Sequence, residues 1–211
     1  MTRIAVLDYG IGNLRSAQKA LERVGADARL TADRGLVRDA AAVVLPGVGN
    51  FGRCMTALRQ SRLDDLAVEA AGSGRPFLGI CVGMQMLYAG SEETPDVPGL
   101  GVLPGTVRRL PNGLKRPQMQ WNVLQPVEPR GRDSVLLSGL PSPAWVYFVH
   151  SYAPEHGGDV VAVCDYGGPV VAAVERGALW ATQFHPEKSG AAGMALLRSF
   201  VAQAARAEAA A

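Results

Sequence analysis

Pro76-Phe77-Leu78-Gly79-Ile80-Cys81-Val82-Gly83-Met84-Gln85 is the stretch on which the reading of the whole chain turns. Residues 76–80 form an apolar run of the kind that makes a buried strand, and residues 82–88 continue at helical spacing. Between them, Cys81 has a glycine two positions away on either side, which is the nucleophile-elbow pattern. A sharp strand-to-helix turn forces its central residue into a strained conformation, and side chains two positions away would clash, so glycine is needed there. The thiol is then projected above the sheet. The helix N-terminus beneath it favours the thiolate and supplies a backbone N–H for an oxyanion. A buried cysteine in a glycine-rich turn is the competing reading, and the strand before and the helix after weigh against it.

The same unit repeats upstream. Residues 4–7 are apolar, stop at Asp8-Tyr9-Gly10-Ile11-Gly12-Asn13, and lead into Leu14, Ala17, Leu21 and Val24 at helical spacing. Residues 41–45 are closed by Pro46-Gly47-Val48-Gly49 and followed by Phe51, Met55 and Leu58. Continuous apolar strands alternating with helices predict an α/β fold with a mostly parallel central sheet flanked by helices. The pattern changes after about Glu92. Residues 95–143 are rich in proline and glycine, and short strand-like segments follow at 146–149, 160–163, 170–174 and 179–184. This half reads as a mixed or antiparallel strand extension of the core. Residues 191–205 predict a last helix with Met194, Leu197 and Val201 as its buried stripe. The tail, about 207–211, has nothing large to bury and is expected to fray.

Composition bounds what such a chain does. It has 211 residues, 48% of them apolar and 19% charged, enough for a sizeable core in one large domain or two small ones. A formal net charge of +2 gives little support for nucleic acid as the main partner. No apolar run approaches the roughly 18 residues a membrane span needs, and Met1 to Asp8 reads as a strand and not as a signal peptide. Cys54, Cys81 and Cys164 are too few and too widely spaced for a disulfide framework, so a reducing cytoplasm is expected. There is no phosphate loop and no metal-ligand cluster, so no cofactor and no metal are expected.

A thiolate nucleophile needs a base, and the chain has three histidines. His156 sits in a polar turn, Glu155-His156-Gly157-Gly158, and reads as a surface residue. His150 ends the apolar run 146–149, and spacing alone leaves it either a satisfied strand-end residue or a site residue. His185 lies in Thr182-Gln183-Phe184-His185-Pro186-Glu187-Lys188-Ser189. In an extended segment, side chains two apart point the same way, so Glu187 can orient His185 and stabilise its charged form.

These residues resemble a class I (triad) glutamine amidotransferase domain, on Gly79-Ile80-Cys81-Val82-Gly83-Met84-Gln85 with His185-Pro186-Glu187. Further motifs narrow the resemblance: Asp8 to Leu14, Leu45 to Gly49, Ser91-Glu92-Glu93, Gln120-Trp121-Asn122, Tyr147 to Tyr152, and His185 to Ser189. In the family's order, and over nearly the whole chain, they are similar to the glutaminase subunits of imidazole glycerol phosphate synthase. Gln120 departs from the family's usual glycine before Trp-Asn, which puts interface detail in doubt but not the chemistry.

With the nucleophile near the middle of the chain and its base near the C-terminus, the site needs both halves, so a single domain over residues 1–211 is expected; the resemblance implies a Cys81, His185, Glu187 triad. It implies an oxyanion hole from Val82 and from Gly47 and Val48, whose peptide is expected to reorient before the lone subunit becomes active. Gly49, Gln85, Glu93, Ser151 and Tyr152 would contact L-glutamine, although Glu93 also reads as a solvated charge. Tyr9, Asn13, Trp121, Asn122, Tyr147 and Lys188 would line the partner interface and ammonia path, with Trp121 and Tyr147 as core aromatics the alternative. The partner would be a cyclase subunit with a (β/α)8 barrel, forming a heterodimer in histidine biosynthesis, and the phosphorylated substrate would bind that other chain. Glutaminases of anthranilate, aminodeoxychorismate or pyridoxal phosphate synthesis fit the N-terminal and Pro46-Gly47-Val48-Gly49 motifs less well. A silent binding module is disfavoured by the intact triad, and an unrelated thiol hydrolase is a weaker alternative. The chain is too short for two full catalytic domains, which favours one half of a two-chain enzyme.

Overall fold

The three N-terminal apolar runs become adjacent parallel strands in the computed structural model, which describes residues 1–210. They are β1 (Arg3–Leu7), β3 (Ala42–Gly47) and β4 (Phe77–Cys81), with α1 (Leu14–Arg23), α3 (Phe51–Gln60) and α5 (Val82–Met86) following them. Three elements here had no strong apolar signal: β2 (Asp27–Thr31), α2 (Arg34–Arg38) and α4 (Asp64–Gly72). β2 is the sheet's outer strand, pairing only with β1, and buries only Ala28 and Thr31.

Downstream of β4 come β5 (Val107–Arg109), β6 (Gln118–Val123), β7 (Gln125–Pro126), the short α6 (Arg130–Asp133), β8 (Trp145–His150) and β9 (Tyr152–Pro154). The chain then runs through β10 (Val160–Asp165), β11 (Pro169–Arg176), β12 (Leu179–Thr182) and α7 (Gly190–Ala210). The main sheet has the order β2-β1-β3-β4-β12-β11-β10-β7. Its first five strands are parallel, and β11, β10 and β7 extend it antiparallel. Two further ladders, β5-β9 and β6-β8, stand beside it. The expected parallel core with an antiparallel extension is therefore the fold observed.

The consequence for the site is that β12 returns to lie directly beside β4, with Thr182 paired to Ile80. Residues from the middle and the end of the chain thus meet at one edge of the parallel sheet, the C-terminal ends of its strands, where side chains of open α/β sheets converge on ligands.

The last helix forms, but its buried face differs from the expected one. Leu196, Leu197, Phe200 and Ala204 are its large or deep buried residues, while Met194 and Val201 are only partly covered. Phe200 packs against Trp180 at 5.8 Å between ring centroids, so the face is set by the aromatic that β12 presents. Residues 207–210, expected to fray, continue α7, and Ala211 lies outside the described residues. No described helix is long and apolar enough to cross a membrane.

Candidate active site

Cys81 ends β4 with φ of 54°, a left-handed conformation rare for a residue with a side chain. The glycines explain why the turn closes so tightly. A Cβ on Gly83 would strike the Leu45 carbonyl oxygen of β3, and one on Gly79 would sit 3.1 Å from both Leu87 Cδ1 and Met84 Cα. α5 therefore lies against the neighbouring strand, with Val82 as its first residue.

His185 stands three residues past β12, where the 3-10 turn Pro186–Lys188 begins. Its Nδ1 lies 2.8 Å from Glu187 Oε1, and both side chains are almost fully buried. With Nδ1 donating to the carboxylate, Nε2 is left for the thiol, and His185 and Cys81 line the same cleft. Burial alone would lower the His185 pKa, but the bonds to Cys81 and Glu187 outweigh it and raise it to about 10. The backbone is held as firmly: His185 N–H donates to the Tyr147 carbonyl at 3.1 Å, and Ser189 Oγ donates to the His185 carbonyl at 2.6 Å.

Cys81 and His185 open into a cleft of about 370 Å³. Asn13, Val48, Gly49, Val82, Gln85 and Glu93 line it from the N-terminal half, and Ser151, Tyr152 and Lys188 from the C-terminal half. Gln85 Nε2 donates to the Tyr152 carbonyl at 2.9 Å and to Gln183 Oε1 at 3.0 Å. Glu93 is not a free surface charge: its Oε2 accepts from Phe51 N–H at 2.7 Å, at the start of α3. Gly47 lies behind the lining, against the start of α5.

The expected partner-facing residues separate. Lys188 and Asn13 are exposed, and Trp121 is 48% exposed with its ring edge-on to Tyr147 at 6.1 Å. Trp121 is therefore not a core aromatic. Asn122 is half-buried, and its side chain is spent on the Asp165 carbonyl and on Val123 N–H. Tyr9 is only 5% exposed, with its hydroxyl turned inward to the Pro46 carbonyl at 2.6 Å.

Two residues of the site carried no clear sequence signal. Gln183 places Nε2 3.7 Å from Cys81 Sγ, linking the thiol to Gln85. His150 is buried, with Nδ1 2.9 Å from the Tyr152 carbonyl, the same acceptor that Gln85 uses. A carbonyl only accepts, so Nδ1 carries the proton. Burial first, then the charge on His185, lowers the His150 pKa to about 4, despite the opposing bond to Tyr152. No group of three or more His, Cys, Asp or Glu among the described residues could hold a metal ion.

A buried thiol, an imidazole oriented by a carboxylate, and backbone N–H groups beside them form an arrangement for acyl transfer from an amide or ester. Comparison with known proteins bears on which. The family model for Glutamine amidotransferase class-I matches residues 5–204. The chain is 50% identical over 204 residues to the Imidazole glycerol phosphate synthase subunit HisH of Deinococcus radiodurans, covering 93% of this chain and 92% of that protein. It is 46% identical over 202 residues to the protein of the same name from Symbiobacterium thermophilum, covering 95% and 93%. A solved glutamine amidotransferase superposes with a TM-score of 0.74 at 23% identity, over 96% of this chain and 98% of that one, which bears on the fold.

Proposed function

The chain belongs to the class I glutamine amidotransferase family, and from that premise we propose that it is the glutaminase subunit of imidazole glycerol phosphate synthase, in histidine biosynthesis. The observation that carries the chemistry is the buried line from Cys81 through His185 to Glu187, opening into the cleft. The pathway reading rests on relatives of 46% to 50% identity that span nearly their whole length and carry that subunit's name.

In this reading Cys81 Sγ attacks the side-chain amide carbon of L-glutamine, and His185 holds the thiol proton. The carbonyl oxygen becomes an oxyanion, stabilised by the N–H of Val82 and of Val48. As the C–N bond breaks, His185 passes the proton to the departing nitrogen, giving ammonia and a glutamyl thioester on Cys81. His185 then takes a proton from water, which attacks the thioester; glutamate leaves and the thiol is restored. Glu187 fixes the imidazole and balances its charge, as the third member of such triads does. Gln85, Gly49, Glu93 and the turn at Ser151 and Tyr152 position the substrate, Glu93 partly by ordering the start of α3.

The whole chain acts as one domain, since its nucleophile and base come from opposite halves. It works in the cytoplasm, which suits its three free thiols. Its partner is a cyclase subunit with a (β/α)8 barrel. Trp121, Tyr147, Asn13 and Lys188 face that partner, and ammonia passes between the chains without meeting bulk solvent, where it would be protonated.

A glutamine-analogue electrophile tests the reading. The adduct is expected on Cys81 and not on Cys54 or Cys164, and Cys81→Ala should abolish glutamine hydrolysis while leaving partner binding intact. An adduct on either other cysteine, or turnover by Cys81→Ala above background, would remove Cys81 as nucleophile. Adding the cyclase with its nucleotide ligand should raise the hydrolysis rate, and no stimulation would point to another pathway.

A further inference from the structure

Two buried side chains that take no part in these proton transfers converge on one loop. Tyr9, two residues past β1, donates its hydroxyl to the Pro46 carbonyl at 2.6 Å. Cys54 of α3, completely buried, donates its thiol to the Val48 carbonyl at 3.3 Å. Burial pushes both their pKa values up, so each keeps its proton and remains a donor.

Pro46 and Val48 carry carbonyls two residues apart, and between them lies the single Gly47–Val48 peptide. Its N–H belongs to Val48, which lines the cleft. The same spot is tight on the other side: a Cβ on Gly47 would lie 2.7 Å from Gly83 N, 3.0 Å from Val82 Cβ and 3.1 Å from Tyr9 Oη. Tyr9, the loop and the start of α5 are thus in mutual contact, and the flanking carbonyls are the fixed ends between which the central peptide turns.

We propose that Tyr9 and Cys54 are positioning residues that anchor the Pro46 and Val48 carbonyls on either side of the Gly47–Val48 peptide, so that this peptide turns between fixed ends and delivers its N–H to the oxyanion position beside Cys81. This rests on reading Val48 N–H as an oxyanion donor. Such a donor works only within about 2.7–3.1 Å of the developing charge, and small displacements are costly in rate. Its loss is felt in the transition state and not in substrate binding.

The test uses the full chain with its cyclase partner and three variants, Tyr9→Phe, Cys54→Ala and Cys54→Ser. Each is assayed for kcat and KM with glutamine and for the rate at which iodoacetamide alkylates Cys81. Alkylation is a displacement at a saturated carbon and builds no oxyanion, so it reads the elbow without the loop. Tyr9→Phe and Cys54→Ala should each lower kcat by ~10-fold, with KM and the alkylation rate unchanged. Cys54→Ser should restore kcat, because its hydroxyl donates to the same carbonyl. Unchanged kcat in the variants, alkylation falling in step with kcat, or Cys54→Ser no better than Cys54→Ala would each overturn the proposal. If Tyr9→Phe fails to fold, the two Cys54 variants still decide the matter. An unaltered complex that does not hydrolyse glutamine would instead overturn the glutaminase reading on which the proposal depends.

Discussion

At the scale of single residues, the two cleft histidines are pushed in opposite directions. His185 gains a carboxylate and a thiol and is raised, whereas His150 has one carbonyl partner and deep burial and is lowered. Their consequences for stability fall in different pH windows. The raised His185 contributes stability that is complete below its unfolded value near 6.5 and is lost as pH rises towards about 10. The lowered His150 works the other way: folded protein resists protonation between about 6.5 and about 4 while unfolded chain takes the proton. Stability should therefore fall as pH drops through that window, by ~2–3 kcal/mol from this group. Urea unfolding of His150→Gln against the unaltered chain should show a flatter acid limb in the variant. Parallel curves would mean that His150 does not stay neutral. Of these residues, Cys81, His185 and Glu187 were legible because their spacing carries their geometry. Gln183, His150 and Cys54 were not: Gln183 reaches Cys81 across 102 residues, whereas His150 and Cys54 bond near neighbours, Tyr152 and Val48, and owe their place to a burial that spacing does not reveal.

At the scale of elements, legibility followed burial on both faces. β3 and β4 are apolar throughout, β1 is so after Arg3, and all three were plain in the sequence, whereas β2 reads Asp-Ala-Arg-Leu-Thr because one of its edges meets solvent. α7 was legible as a helix but not in its facing. A run of alanines offers several equivalent stripes, and the choice is made by Trp180, a residue of another element. The β4-to-α5 turn makes the sharpest prediction at this scale. Gly83→Ala would drive a methyl group into the backbone of β3, so α5 must retreat. The expected result is a loss of ~1–3 kcal/mol in denaturant unfolding, together with slower alkylation of Cys81. Undiminished stability would show that the turn tolerates a side chain there.

At the scale of the whole molecule, the β6-β8 ladder presents one apolar face outward. Trp121 pairs with Tyr147, Met119 with Val149 and Val123 with Trp145, and Met119, Trp121 and Trp145 are all well exposed. Aromatic residues so placed commonly dominate the energetics of an interface. Trp121→Ala should weaken binding of the cyclase by ~2 kcal/mol or more in a titration of the two chains, while thermal unfolding of the lone chain stays unchanged. Equal affinity would move the interface elsewhere. This surface was only half legible: the aromatics are plain in the sequence, but their outward facing depends on which side of the ladder the core occupies.

The adjacency of β4 and β12 has a bearing on how the protein is made. A ribosome delivers the thiol-bearing strand long before the strand that must lie against it. Until β12 arrives, β4 is the open margin of a growing sheet, with backbone groups exposed to any passing strand. The nascent chain therefore carries Cys81 before His185 and Glu187 exist to stand beside it, and the cleft is assembled only once synthesis has passed β12 and the turn that follows it.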